Sequence, residues 1–126
     1  MKKHILVAED NKDIAELYCF QLESLGFDVT VAKNGIEAME LAPLLLPDLV
    51  IMDILMPKMD GLEAARQIRE NPATRDIPIL AATAKAMEGD IEKCLAAGCD
   101  GYIAKPFNHT ELGAAIEAVL QHPTKL

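Results

Sequence analysis

Five short apolar runs set the terms for this chain: HILVA at 4–8, DVTVA at 28–32, DLVIMD at 48–53, PILAAT at 78–83 and GYIA at 101–104. Longer amphipathic stretches separate them, at about 12–25, 35–45, 61–70, 86–97 and 108–121. Strand-length runs alternating with helix-length stretches predict repeated strand–helix units and a parallel sheet. The first, third and fourth runs are continuously hydrophobic, as expected of central strands covered by helices on both faces. Right-handed crossovers then give a doubly wound α/β sandwich.

Local punctuation supports those boundaries. Gly26 and Gly98 stand where helix C-terminal glycines belong. Asn108, with Glu111 three residues on, forms a capping box for the last helix. Pro43 falls inside the second helix and is expected to shorten or kink it. The chain's 126 residues fit one domain, spanning 1–126, and 51% apolar with 25% charged residues is a composition that buries a core.

A formal net charge of -8 repels phosphate backbones and anionic lipid surfaces, so the sequence argues against direct nucleic-acid binding and places any output on another protein. No stretch approaches the roughly 18 apolar residues that a membrane helix needs, and the opening MKKHILVAED has acids too early for a signal peptide. A cytoplasmic location is expected. Cys19, Cys94 and Cys99 are odd in number and lack CxxC spacing, and are read as reduced structural thiols rather than zinc ligands.

In doubly wound sheets the working site lies beyond the C-terminal ends of the strands. There this chain has Glu9 and Asp10 after the first strand, Asp53 at the end of the third, Thr83 at the end of the fourth, and Lys105 with Pro106 after the fifth. Each alone has an ordinary structural explanation as a turn, cap or solvated residue. Together they place three acids on one edge, which repel one another unless a cation joins them. Magnesium suits Asp10 and Asp53, with Glu9 reaching through water, and manganese or calcium could substitute in vitro. Lys105 and Thr83 offer a positive charge and a hydroxyl to phosphoryl oxygens. The constellation describes phosphoryl transfer to a carboxylate, with Asp53 as nucleophile and a transient acyl phosphate as product.

The segments ILVAEDN at 5–11, PDLVIMDILMPKMDGLEAARQIR at 47–69, PILAATA at 78–84 and GCDGYIAKPF at 98–107 resemble the receiver domains of bacterial response regulators, over essentially the whole chain. The resemblance implies a flavodoxin-like, CheY-like sheet of order 2-1-3-4-5 flanked by five helices. It implies that Glu9 and Asp10 form the acidic metal pocket with Asp53, completed by the Leu55 backbone carbonyl, and that Asp53 is phosphorylated by a histidine kinase or histidine phosphotransfer protein. Thr83 and Lys105 would contact the phosphoryl group, and the peptide before Pro106 would be cis, aiming Lys105 into the site. Thr83 and Tyr102 would act as the switch, with the fourth helix, fifth strand and fifth helix forming the face that meets a downstream effector; a static Tyr102 is the other reading. Such a domain is a switch rather than a turnover enzyme. It would be monomeric when unphosphorylated, with a phosphorylation-dependent dimer as an option.

Ile14 and Leu17, one turn apart on the first helix, and Pro106 with Phe107 form an apolar rim for the phosphodonor, similar to that of family members; helical spacing alone equally allows Leu17 in the core. Two features depart from the family pattern: Pro43, and the pair Leu55 and Lys85 at positions that tune phosphate lifetime. Neither Leu55 nor Lys85 orients an attacking water, so slow dephosphorylation is expected.

Other readings fare less well. An aspartyl phosphohydrolase needs a second acid two residues after Asp53, where Leu55 stands. A nucleotide or flavin binder needs a phosphate loop where the chain has EDNKD. A receiver that only binds partners and is never phosphorylated stays as the alternative; such domains have usually lost one of the site groups, and all are present here. The kinase, signal and target, and whether the domain works alone or within a larger protein, are not written in the sequence.

Overall fold

The structure is a computed structural model that describes residues 2–54, 60–83 and 88–121, with residues 88–90 described by their backbone alone. Five strands, β1 (His4–Ala8), β2 (Asp28–Ala32), β3 (Leu49–Asp53), β4 (Ile79–Thr83) and β5 (Gly101–Ala104), form one parallel sheet of order β2-β1-β3-β4-β5. Five helices connect and cover them: α1 (Lys12–Ser24), α2 (Gly35–Leu45), α3 (Gly61–Glu70), α4 (Glu88–Ala96) and α5 (His109–Gln121). This is the doubly wound architecture and strand order expected above.

The period-2 alternation of each strand divides the core in two. Leu6, Val50, Met52, Ile79 and Ala81 face one side, where Ala38 and Ala42 of α2, Ala64 and Ile68 of α3 and Cys94 of α4 cover them. Ile5, Val7, Leu49, Ile51, Leu80 and Ala82 face the other, against Tyr18 and Leu22 of α1 and Leu112, Ile116 and Val119 of α5. Strands buried on both faces need apolar residues at every position, and β3 and β4 are buried throughout. The edge strands β2 and β5 are only partly buried.

The helix ends follow local chemistry. Asn11, Asn34 and Asp60 each accept a backbone N–H three residues on, from Ile14 at 3.1 Å, Glu37 at 2.8 Å and Glu63 at 2.9 Å. The capping box forms reciprocally: Glu111 N–H donates to Asn108 Oδ1 at 2.8 Å and Asn108 N–H to Glu111 Oε1 at 3.0 Å. Gly26 and Gly98 adopt φ of 94° and 104° past the ends of α1 and α4. One expectation is corrected. Pro43 does not shorten α2, which keeps its full span to Leu45; in the last turn the proline forgoes a single bond, and the chain leaves the helix at Leu46 with φ of 47°. All three cysteines are free, and among the described residues no helix is long and apolar enough to cross a membrane.

Candidate functional site

Strand register brings the polar groups together. Ala8 pairs with Met52, so Glu9 and Asp53 emerge side by side; Asp53 pairs with Ala82, so Thr83 lies one step beyond it on the next strand. Thr83 pairs with Ala104, and Lys105 N–H continues the ladder by donating to the Thr83 carbonyl at 2.8 Å. Glu9, Asp53 and Thr83 are buried at 2%, 5% and 5% exposure, whereas Asp10 faces solvent.

Glu9, Asp10 and Asp53 each offer a carboxylate oxygen within 4.8 Å of the others. Lys105 Nζ lies 3.2 Å from Glu9 Oε1 and 3.2 Å from Asp53 Oδ2, and the Lys105–Pro106 peptide is cis, as expected. Among the described residues one ammonium faces three carboxylates, which leaves uncompensated negative charge. The Glu9 carboxyl is pushed up to about 7, first by burial and then by the Asp53 charge, with Lys105 and the Asn11 N–H offsetting part of the rise. For Lys105, burial works against the charged form, but the Asp53 and Glu9 carboxylates outweigh it and hold the ammonium's pKa above its ordinary value. Oxygen donors, excess negative charge and one exposed face are what a hard divalent cation requires. The Leu55 carbonyl and Lys85 lie outside the described residues.

Beside this cluster the four apolar residues of the expected rim lie together. Ile14 and Leu17 are 38% and 54% exposed, which removes the reading of Leu17 as core. With Pro106 and Phe107 they line a cavity of about 190 Å³ whose walls also include Tyr18, Gln21 and Lys105. Sequence reasoning missed Tyr18 and Gln21, although 14, 17, 18 and 21 follow the i, i+3, i+4, i+7 spacing of one helical face. Tyr18 packs its ring 5.5 Å from that of Phe107, and its buried hydroxyl has no partner among the described residues. Tyr102 of β5 is 43% exposed and Leu95 of α4 47%.

The sequence matches the response regulator receiver domain family over residues 5–117, and the chain belongs to that family. It is 40% identical over 121 residues to the alkaline phosphatase synthesis transcriptional regulatory protein PhoP of Bacillus subtilis, covering 96% of this chain and 50% of that protein, so it spans half the length of that relative. The polar-differentiation response regulator DivK of Brucella anthropi is 38% identical over 108 residues, covering 86% of this chain and 88% of DivK. Among solved structures, the receiver domain of the sensor histidine kinase PA1611 from Pseudomonas aeruginosa, with a magnesium ion coordinated in its active-site cleft, superposes with a TM-score of 0.89 at 38% identity, covering 96% of this chain and 99% of that one.

Proposed function

We propose that this domain accepts a phosphoryl group on Asp53 from a phosphohistidine donor, in a magnesium-dependent reaction, and signals through the resulting change at its surface. The observation that carries the reading is the convergence of three carboxylates within 4.8 Å on a Lys105 ammonium 3.2 Å from Asp53. Magnesium, held by Glu9, Asp10 and Asp53, would neutralise charge between acceptor and phosphoryl oxygens, and manganese or calcium could replace it in vitro.

An Asp53 carboxylate oxygen bonds to phosphorus as the phosphorus–nitrogen bond of the donor breaks; the imidazole leaves with the electron pair. Lys105 and Thr83, at the adjoining strand ends, pair with phosphoryl oxygens in a step that needs positioning more than covalent help. Water later cleaves the acyl phosphate and restores Asp53, so the domain is a switch rather than an enzyme with a separate substrate. Ile14, Leu17, Pro106 and Phe107 receive the histidine kinase or phosphotransfer protein. Thr83 and Tyr102 carry the change to α4, β5 and α5, where an effector protein or, after phosphorylation, a second copy of an otherwise monomeric cytoplasmic domain binds. The phosphate biases that change only through contacts that differ between the two packings.

Incubation with acetyl phosphate and magnesium, read by intact mass, tests the reading. One added phosphoryl group, lost with chelator and absent in Asp53→Asn, is expected. An unlabelled wild type, under conditions that label another receiver, would leave only a partner-binding module.

A further inference from the structure

The Asp53–Ile54 peptide, where β3 ends, is held from two sides. Ile54 N–H donates to the Ala82 carbonyl at 3.1 Å, and the Ile54 carbonyl accepts the N–H of Gly61, the first residue of α3, at 2.9 Å. Gly61 approaches more closely than any side-chain-bearing residue could. A β-carbon built on it in ideal geometry would lie 2.2 Å from the Asp53 carbonyl oxygen, 2.8 Å from Ile54 Cα and 2.9 Å from the Asp53 carbonyl carbon.

Those are backbone atoms, which cannot rotate aside as a flexible side chain would. Gly26 and Gly98 are the described glycines at positive φ, so Gly61 is there for space rather than for an unusual backbone conformation. The start of α3 is fixed independently by Asp60, whose side chain accepts the Glu63 N–H at 2.9 Å, so the helix cannot simply slide back. A methyl group at position 61 therefore forces the Asp53 peptide and the first turn of α3 apart.

We propose that Gly61 is a positioning residue for the phosphoacceptor: its missing side chain lets the first turn of α3 seat directly on the Asp53 peptide and fix where the carboxylate points. The inference rests on the reading of Asp53 as the phosphorylated residue. Misplacing a reacting group by about 1 Å costs on the order of a hundredfold in rate.

The test compares wild type, Gly61→Ala and Leu62→Ala, labelled with phosphoramidate at temperatures well below each protein's unfolding midpoint, with magnesium and phosphoramidate varied separately. Leu62 packs against the core from the same helical turn, so its truncation loosens α3 by packing alone. Gly61→Ala is expected to keep its sheet amide resonances yet lose at least about tenfold in maximal labelling rate, while Leu62→Ala labels within about twofold of wild type. Gly61→Ala labelling at the wild-type rate, or Leu62→Ala falling equally far, overturns the proposal. Should Gly61→Ala not fold, the Gly61 amide of the wild type decides: movement in step with the Asp53 amide during magnesium titration supports the seat, and a stationary resonance overturns it. A wild type that takes no label overturns the acceptor reading itself, and the inference with it.

Discussion

Glu9 is 2% exposed, faces Asp53, and has its carboxyl pushed up to about 7 from an ordinary 4.5, chiefly by burial. A carboxyl that holds its proton more tightly folded than unfolded makes the folded state bind more protons between those values, so stability falls as pH rises from about 4.5 to about 7. The loss amounts to at most about 3 kcal/mol. Urea unfolding without divalent ions should therefore give a lower midpoint at pH 7.5 than at pH 5, and Glu9→Gln should flatten that difference; an unchanged slope in the variant contradicts the assignment. Tyr18 offers a second test. Its buried hydroxyl lacks a partner among the described residues, so Tyr18→Phe removes a desolvated group and leaves the ring contact with Phe107. Thermal denaturation should show the variant at least as stable as wild type, by up to about 1 kcal/mol, whereas a clear loss would reveal a bond the hydroxyl makes.

Among the elements, the C-terminal end of α3 is tied to the segments that lead into β4 and β5 by the Arg69 guanidinium. Arg69 donates to the Gly98 carbonyl at 3.0 Å and 2.7 Å, to the Ile77 carbonyl at 3.0 Å and to the Arg75 carbonyl, and pairs with Asp100 at 2.7 Å. The same Asp100 oxygen accepts the Ile79 N–H at 2.9 Å, joining the start of β4 to the residue that leads into β5. Arg69→Ala strips the buried Asp100 of its cation and should cost about 3 kcal/mol in chemical denaturation; a loss near zero sinks the tie. The strands and caps were legible in the sequence because their signals are local: a doubly covered strand is apolar throughout, and a cap lies three residues from the N–H it accepts. The Arg69 tie was not, because most of its acceptors are carbonyls, which every residue has. For the same reason the close seat of Gly61 on Asp53 was invisible, while Glu9, Asp10, Asp53, Thr83 and Lys105 could be found from the rule that sites gather beyond the strand ends.

At the scale of the whole molecule, the proposed function puts chemistry and recognition on neighbouring surfaces: an acidic cluster at the strand ends and an apolar rim with 54% of Leu17 exposed. On that reading a small phosphodonor needs the first alone, a protein donor both. Leu17→Ala should slow transfer from a phosphohistidine protein that labels wild type by about tenfold and leave acetyl phosphate labelling unchanged, as truncating an interface anchor does. Equal loss with both donors would place Leu17 in the chemistry rather than the docking. The central claim is that the phosphoryl group resides on Asp53, and the direct measurement is to locate it. Borohydride reduction of the labelled protein converts an aspartyl phosphate to homoserine, which peptide mass spectrometry finds by position. Conversion at residue 53 alone is the expected result; conversion at Asp10, Glu9 or any other carboxylate, or none in a labelled protein, contradicts it.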